Sequence, residues 1–175
     1  MASQNLANYS PEDVVMILSN DIFGSHVISG TAEGTFISYE RSVDRATLVV
    51  GSDLSAARVL RRNKSGTVTL TLMQSAESND VLSMIAQRDE EAHDNSYLFS
   101  LTIKDLSGRS VFFAPDAFIG NDPSDSYGDT LGTRDWAITV TGVERHFGGN
   151  SKLNPENQAT LEALGYTVED KWKAN

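Results

Sequence analysis

The chain has 175 residues, 39% of them hydrophobic, enough for one domain with a real core and too few to lead one to expect a second. Asp and Glu number 24 against 14 Lys and Arg, a formal charge of −10, which argues against a phosphate-neutralising grip on nucleic acid and against docking on anionic membranes. Cysteine is absent, so disulfides, thiolate metal sites and cysteine nucleophiles are excluded.

The opening Met1-Ala-Ser-Gln-Asn-Leu has neither a basic region nor an apolar stretch of signal-peptide length, and no window approaches a membrane span. The expectation is a soluble protein made in a cytoplasm. Early strand signals fall at 14–19, 25–29, 35–41 and 43–50. Residues 51–65 read as a long loop carrying the cations Arg58, Arg61, Arg62 and Lys64. Then the pattern becomes strictly period two: Val68, Leu70 and Leu72 alternate with Thr67, Thr69 and Thr71. Such alternation buries one face of a strand and wets the other.

From Ser78 to about Ala92 the spacing of Val81, Leu82, Ile85 and Ala86 is helical, with Ser78 expected as N-cap and Asp80 in the positive first turn. Asp89, Glu90 and Glu91 work against the helix dipole at the other end, so that end is expected to fray or to meet a cation. Tyr97, Phe99, Leu101 and Ile103 give the next alternating strand. A turn at Leu106-Ser107-Gly108 leads to another strand at 110–114. Residues 115–133 read as a second long loop, and loops of this length are usually functional or disordered. Trp136, Ile138 and Val140 alternate with Ala137, Thr139 and Thr141. The last stretch, 151–175, is polar, with a short helix possible near 155–164 from Asn154-Pro155.

No catalytic constellation stands out. His26, His93 and His146 lie far apart without metal-type spacing. The loop from Asn121 to Asp129 has oxygen ligands but not the EF-hand register, and its Asp, Ser, Gly and Pro are ordinary turn residues. No nucleophile elbow or phosphate-binding loop occurs. The reading at this level is no enzyme, no cofactor and no metal. The basic run Arg58–Lys64 has no interleaved aromatic residues, so a single-strand stacking platform is not indicated. An acidic surface of another copy fits it as well as solvent does.

The stretch from Gly66 to Ile85 pairs an alternating Thr/hydrophobic strand with a Gln-Ser turn and a Ser-Asn-Asp helix start. It resembles the tail tube proteins of contractile-tailed bacteriophages. The order of elements over roughly residues 10–150 agrees, including the Gly120-Asn121 region before Trp136-x-Ile-x-Val. The resemblance implies a mainly β fold, an antiparallel β-sandwich or barrel with one α-helix, shared with type VI secretion tube proteins. It divides the chain into a tail tube domain at 1–150 and a polar extension at 151–175. It implies hexameric rings stacked into a conduit for genome delivery, in a virion tail assembled in the host cytoplasm. Its partners would be further copies, the tail sheath, the tape-measure protein, and baseplate and terminator proteins. Double-stranded DNA would pass through without specific binding, and no membrane is involved. On this reading Arg58, Arg61, Arg62 and Lys64 make inter-subunit or inter-ring contacts, and Asp89, Glu90, Glu91 and Asp94 meet the sheath. Two alternatives remain: another tail component, such as a baseplate tube-initiator or tail terminator, and a monomeric β-sandwich binding module.

Overall fold

The structure is a computed structural model and describes residues 6–174; the Met1–Asn5 stretch read above lies outside the described residues. Ten strands run in chain order: β1 Val14–Asn20, β2 Gly24–Val27, β3 Ile37–Arg41, β4 Ala46–Val50, β5 Ala56–Leu60, β6 Gly66–Met73, β7 Phe99–Asp105, β8 Val111–Asn121, β9 Thr133–Thr141 and β10 Glu144–His146. Helix α1 spans Ser78–Ala92 and helix α2 spans Pro155–Ala163. Every strand pairing is antiparallel. The mainly β, antiparallel architecture expected from the sequence is therefore what the chain adopts, with a second helix in the C-terminal extension.

Eight strands form one sheet in the order β2-β1-β7-β8-β9-β6-β3, with β10 added beside β8. Three strands separate β1 from β6 along this path, yet Met16 and Leu18 share a core with Val68, Leu70 and Leu72. The sheet thus curls so that its two halves face each other as the layers of a sandwich do. Tyr39 of β3 and Phe112 of β8 meet across it, ring centroids 5.0 Å apart. The period-two reading is correct to the residue: in β6 and β9 the apolar set is buried, while Thr67, Thr69, Thr71 and Thr139 stay part-exposed on the other face.

Strand β8 changes neighbours midway. Its first residues pair with β10 and its later ones with β9. Pro115, which has no N–H to give, sits in the register shift between the Leu101–Ala114 and Phe99–Ala117 pairs. The expected loop at 115–133 is accordingly half strand, since β8 continues to Asn121. The expected loop at 51–65 also contains a strand: β4 and β5 make a separate two-stranded hairpin, in register from Ala46–Leu60 to Val50–Ala56. The period there is hard to read because, among the described residues, all side chains of the two strands but the part-buried Thr47 are exposed, so burial imposes no alternation.

The start of α1 differs in detail from expectation. The N-cap position is Glu77, and Ser78 is fully buried. Its Oγ accepts the Ser29 amide at 2.9 Å and lies 3.0 Å from His26 Nε2, tying the helix to the end of β2. At the far end the helix runs on to Ala92. Arg88 pairs with Glu91 at 2.9 Å, and His93 takes a left-handed C-cap at φ 51°. Residues beyond 150 fold back on the body. Val168 is buried, Tyr166 stacks on His146 at 4.3 Å, and the Arg109 guanidinium lies 4.9 Å from the Trp172 ring.

Candidate assembly surfaces

The first surface is the β4–β5 hairpin. It hydrogen-bonds to no strand of the main sheet, and a lone two-stranded hairpin is marginal in water. Leu48, Leu54 and Leu60 are 71%, 85% and 59% exposed, and Val49, Val50 and Val59 are exposed beside them. Leu54 also holds a positive φ of 65° at the hairpin tip, where Asp53 accepts the Ser55 amide and hydroxyl. Those two bonds hold the Asp53 carboxyl below the usual carboxylate range. Apolar surface gathered on one projecting element marks a contact site.

The second surface is basic. Arg61, Arg62 and Lys64 follow β5 and meet Arg41, Arg45 and Arg145 around a depression of about 500 Å³. Arg45 is brought there by the Arg61 amide, which donates to its carbonyl at 2.9 Å. Arg145 is held by two rings, with its guanidinium 4.9 Å from Tyr39 and 4.8 Å from Phe147. Arg41 donates to the carbonyls of Asn63 and Arg61, while its buried Nε has no acceptor among the described residues. Glu144 is the single acid in the lining, and none of these six cations forms an ion pair among the described residues. Of the four cations singled out from the sequence, three join this cluster. Arg58 lies apart, within β5 and opposite Leu48. Arg41, Arg45 and Arg145 were missed because their approach depends on the hairpin and on β10.

The third surface is acidic. Asp80, Asp89 and Glu90 of α1 face Asp122 and Asp125 across a groove of about 610 Å³ floored by Trp136 and Ile119. Its one cation, Arg134, is engaged by the loop itself. The guanidinium donates to the Ser124 and Ser126 carbonyls and lies 5.0 Å from the Tyr127 ring. The acidic set read from the sequence is divided here: Asp89 and Glu90 line the groove, Glu91 is paired with Arg88, and Asp94 is turned onto Ser96. The Ser96 hydroxyl and amide hold the Asp94 carboxyl below its ordinary range.

The three histidines do not converge. His26 contacts Ser78, His93 caps α1 and His146 stacks on Tyr166. Among the described residues no group of three or more His, Asp or Glu is placed to hold a metal ion, and no helix is long and apolar enough to cross a membrane.

Among the described residues the chain thus combines a curled antiparallel sheet with two unpaired edge strands, an exposed apolar hairpin and two charged surfaces without ion-paired counterparts. The chain belongs to the bacteriophage PhiTE tail tube protein family, whose model matches residues 6–148. It is 36% identical over 167 residues to structural protein ORF10 of Pseudomonas phage KPP10, covering 95% of this chain and 96% of that one. It is also similar to the SPP1 tail tube, with a TM-score of 0.49 at 12% identity over 93% of this chain and 88% of the other. A chain of the PVC extracellular contractile injection system sheath–tube complex gives a TM-score of 0.48 at 12% identity, over 79% of this chain and 91% of that one. The chain is a phage tail structural protein, and its place is the virion.

Proposed function

We propose that this chain is the tube subunit itself, a non-enzymatic protein whose copies form hexameric rings stacked into the conduit for genome delivery. The observation that carries the reading is the β4–β5 hairpin, whose six aliphatic residues stay exposed among the described residues. A neighbouring copy covers them. Strands β2 and β3, which end the sheet path, each have one edge that pairs with no other strand among the described residues, and the next copy pairs there laterally. The face opposite the core carries Ser38, Thr67, Thr69 and Thr139, together with the acids Glu40 and Asp135 and no cation in the outward positions of β3, β6 and β9. A lumen wall of this kind gives phosphates no cations to displace counterions, so duplex DNA slides past without being held. The tape-measure protein occupies the same lumen beforehand, and assembly takes place in the host cytoplasm.

In this arrangement Arg58, Arg61, Arg62 and Lys64 make contacts between subunits. The C-terminal end of α1 and the turn after it, with Glu91 and Asp94, meet the sheath, and the baseplate and terminator proteins cap the two ends of the stack. Copy number tests the assignment. A tube subunit is among the most abundant proteins of the purified virion, in proportion to tail length. A few copies per virion would instead make it a baseplate initiator or a terminator.

A further inference from the structure

The two charged surfaces lie at opposite ends of one strand pair. Strands β6 and β9 are in register from Gly66–Val140 to Met73–Thr133. The basic depression opens at the first end, where the Val143 amide donates to the Lys64 carbonyl. The acidic groove opens at the second, where the Gln74 amide donates to the Gly132 carbonyl. Eight residues at about 3.3 Å each place the two surfaces roughly 25 Å apart. One end gathers six cations around a single acid; the other gathers five acids around a single cation that its own loop already engages. Neither cluster has an opposite charge paired to it within the protomer among the described residues. Like charges held together without partners are a cost that an oppositely charged surface removes.

Resting on the tube reading above, we infer that these surfaces bind each other: the Arg61–Arg62–Lys64 end of one copy seats in the acidic groove of a second copy of this chain. The contact is heterologous, one end against the other, so each copy keeps a free basic end and a free acidic end, and the association propagates. Its direction follows the strands, whereas pairing at the β2 and β3 edges runs across them. The end-to-end contact therefore joins one ring to the next. It also assigns Asp89 and Glu90 to the adjacent ring, separating them from Glu91 and Asp94.

The chain's lack of cysteine makes the test direct. Arg62→Cys and Asp122→Cys variants are prepared separately and treated with a flexible bis-maleimide, alone and mixed, under conditions in which the wild-type chain assembles. The expected result is covalent dimer in the mixture at about tenfold or more over either variant alone, suppressed as salt screens the surfaces. Equal cross-linking of each variant with itself, or none in the mixture while wild type still assembles, overturns the end-to-end pairing and leaves the tube reading standing. Wild-type chain that stays monomeric overturns both. A second experiment uses charge. R61E/R62E/K64E and D89K/E90K/D122K, each checked for an unchanged melting profile, are expected to fail to polymerise alone and to co-polymerise when mixed. A short DNA duplex is titrated in parallel. Tight binding by wild type, lost in R61E/R62E/K64E, together with absent cross-linking, would give the basic end to nucleic acid and sink the proposal.

Discussion

The indole N–H of Trp136 donates to Oδ1 of Asn79 at 2.9 Å, and the Asn79 amide nitrogen donates in turn to the Met73 carbonyl at 2.9 Å. One side chain thus ties the first turn of α1 to both β9 and the end of β6, and it positions the wall of the acidic groove. Asn79→Ala leaves the part-buried indole donor without an acceptor, a loss of about 1–3 kcal/mol. For a chain of this size the melting midpoint falls by roughly 2–4 °C per kcal/mol. Asn79→Asp keeps the indole's acceptor but loses the donor to the Met73 carbonyl, so it recovers only part of the drop. Calorimetry on dilute, unassembled protein decides it, and an unchanged midpoint for Asn79→Ala would show the bond to be incidental.

Gly30 makes a second local prediction. It has a φ of +75°, and a Cβ added there would lie 2.3 Å from the Cβ of Ala76 in the turn before α1. Gly24 has a similar φ of +73° but open space around it. Gly24→Ala is expected to cost about 1–2 kcal/mol of backbone strain. Gly30→Ala adds a packing clash of about 1–3 kcal/mol on top. The double change Gly30→Ala, Ala76→Gly removes the Cβ–Cβ overlap but leaves the residue-76 Cα 3.0 Å from the new Cβ, so it recovers part of the clash and keeps the strain. Chemical denaturation of the four proteins measures the ranking, and equal losses for the two single variants would contradict it.

The hairpin separates folding from assembly. Replacing Leu48, Leu54 and Leu60 by Ser changes side chains that the protomer leaves exposed. The unfolding free energy should stay within about 0.5 kcal/mol of wild type, while polymer recovered by sedimentation disappears. Polymer at wild-type yield would mean that the hairpin is not an interface.

The C-terminal segment carries a pH prediction with a worked sign. Lys173 holds Asp170 below the usual carboxylate range and is itself raised by that contact; Lys171 does the same to Glu169. The lowered carboxylates contribute above their ordinary values, 3.8 for Asp170 and 4.5 for Glu169, and lose that contribution as pH falls through the lower folded ones. The raised lysine contributes below 10.5 and loses its share as pH climbs past its folded value. All three groups are solvent-exposed, so each effect is small and weakened by salt. The NMR resonance of the Trp172 indole, under the Arg109 guanidinium, should shift at both extremes and hold steady between them. In Asp170→Asn the acid phase is reduced. A signal flat across the whole range would show that these pairs do not hold the segment.

Much of the fold is legible where burial is one-sided. Strands β6, β7 and β9 and helix α1 alternate or repeat cleanly because one face of each packs on the core, and Trp136, Ile138 and Val140 could be placed by eye. Legibility ends where the protomer leaves an element uncovered. In β4 and β5 apolar residues stand on exposed positions, so Ala56–Leu60 reads as loop, and Arg45 stays invisible beside Arg61. The continuation of β8 past Pro115 is hidden by a residue that normally ends a strand. Ser78 looks like a cap because its chemistry suits one, and only the fold brings Ser29 and His26 to its hydroxyl. The charged surfaces are half readable: the cations crowd in sequence, but the acids of α1 and of the 121–127 loop meet only in three dimensions.

Electron microscopy of the purified chain tests the central claim most directly. The account predicts stacked rings, six-fold in end-on views, with an open lumen and with each ring joined to the next by the contact between Arg61–Lys64 and the acidic groove. A chain that remains monomeric at high concentration, in low and high salt alike, would contradict it.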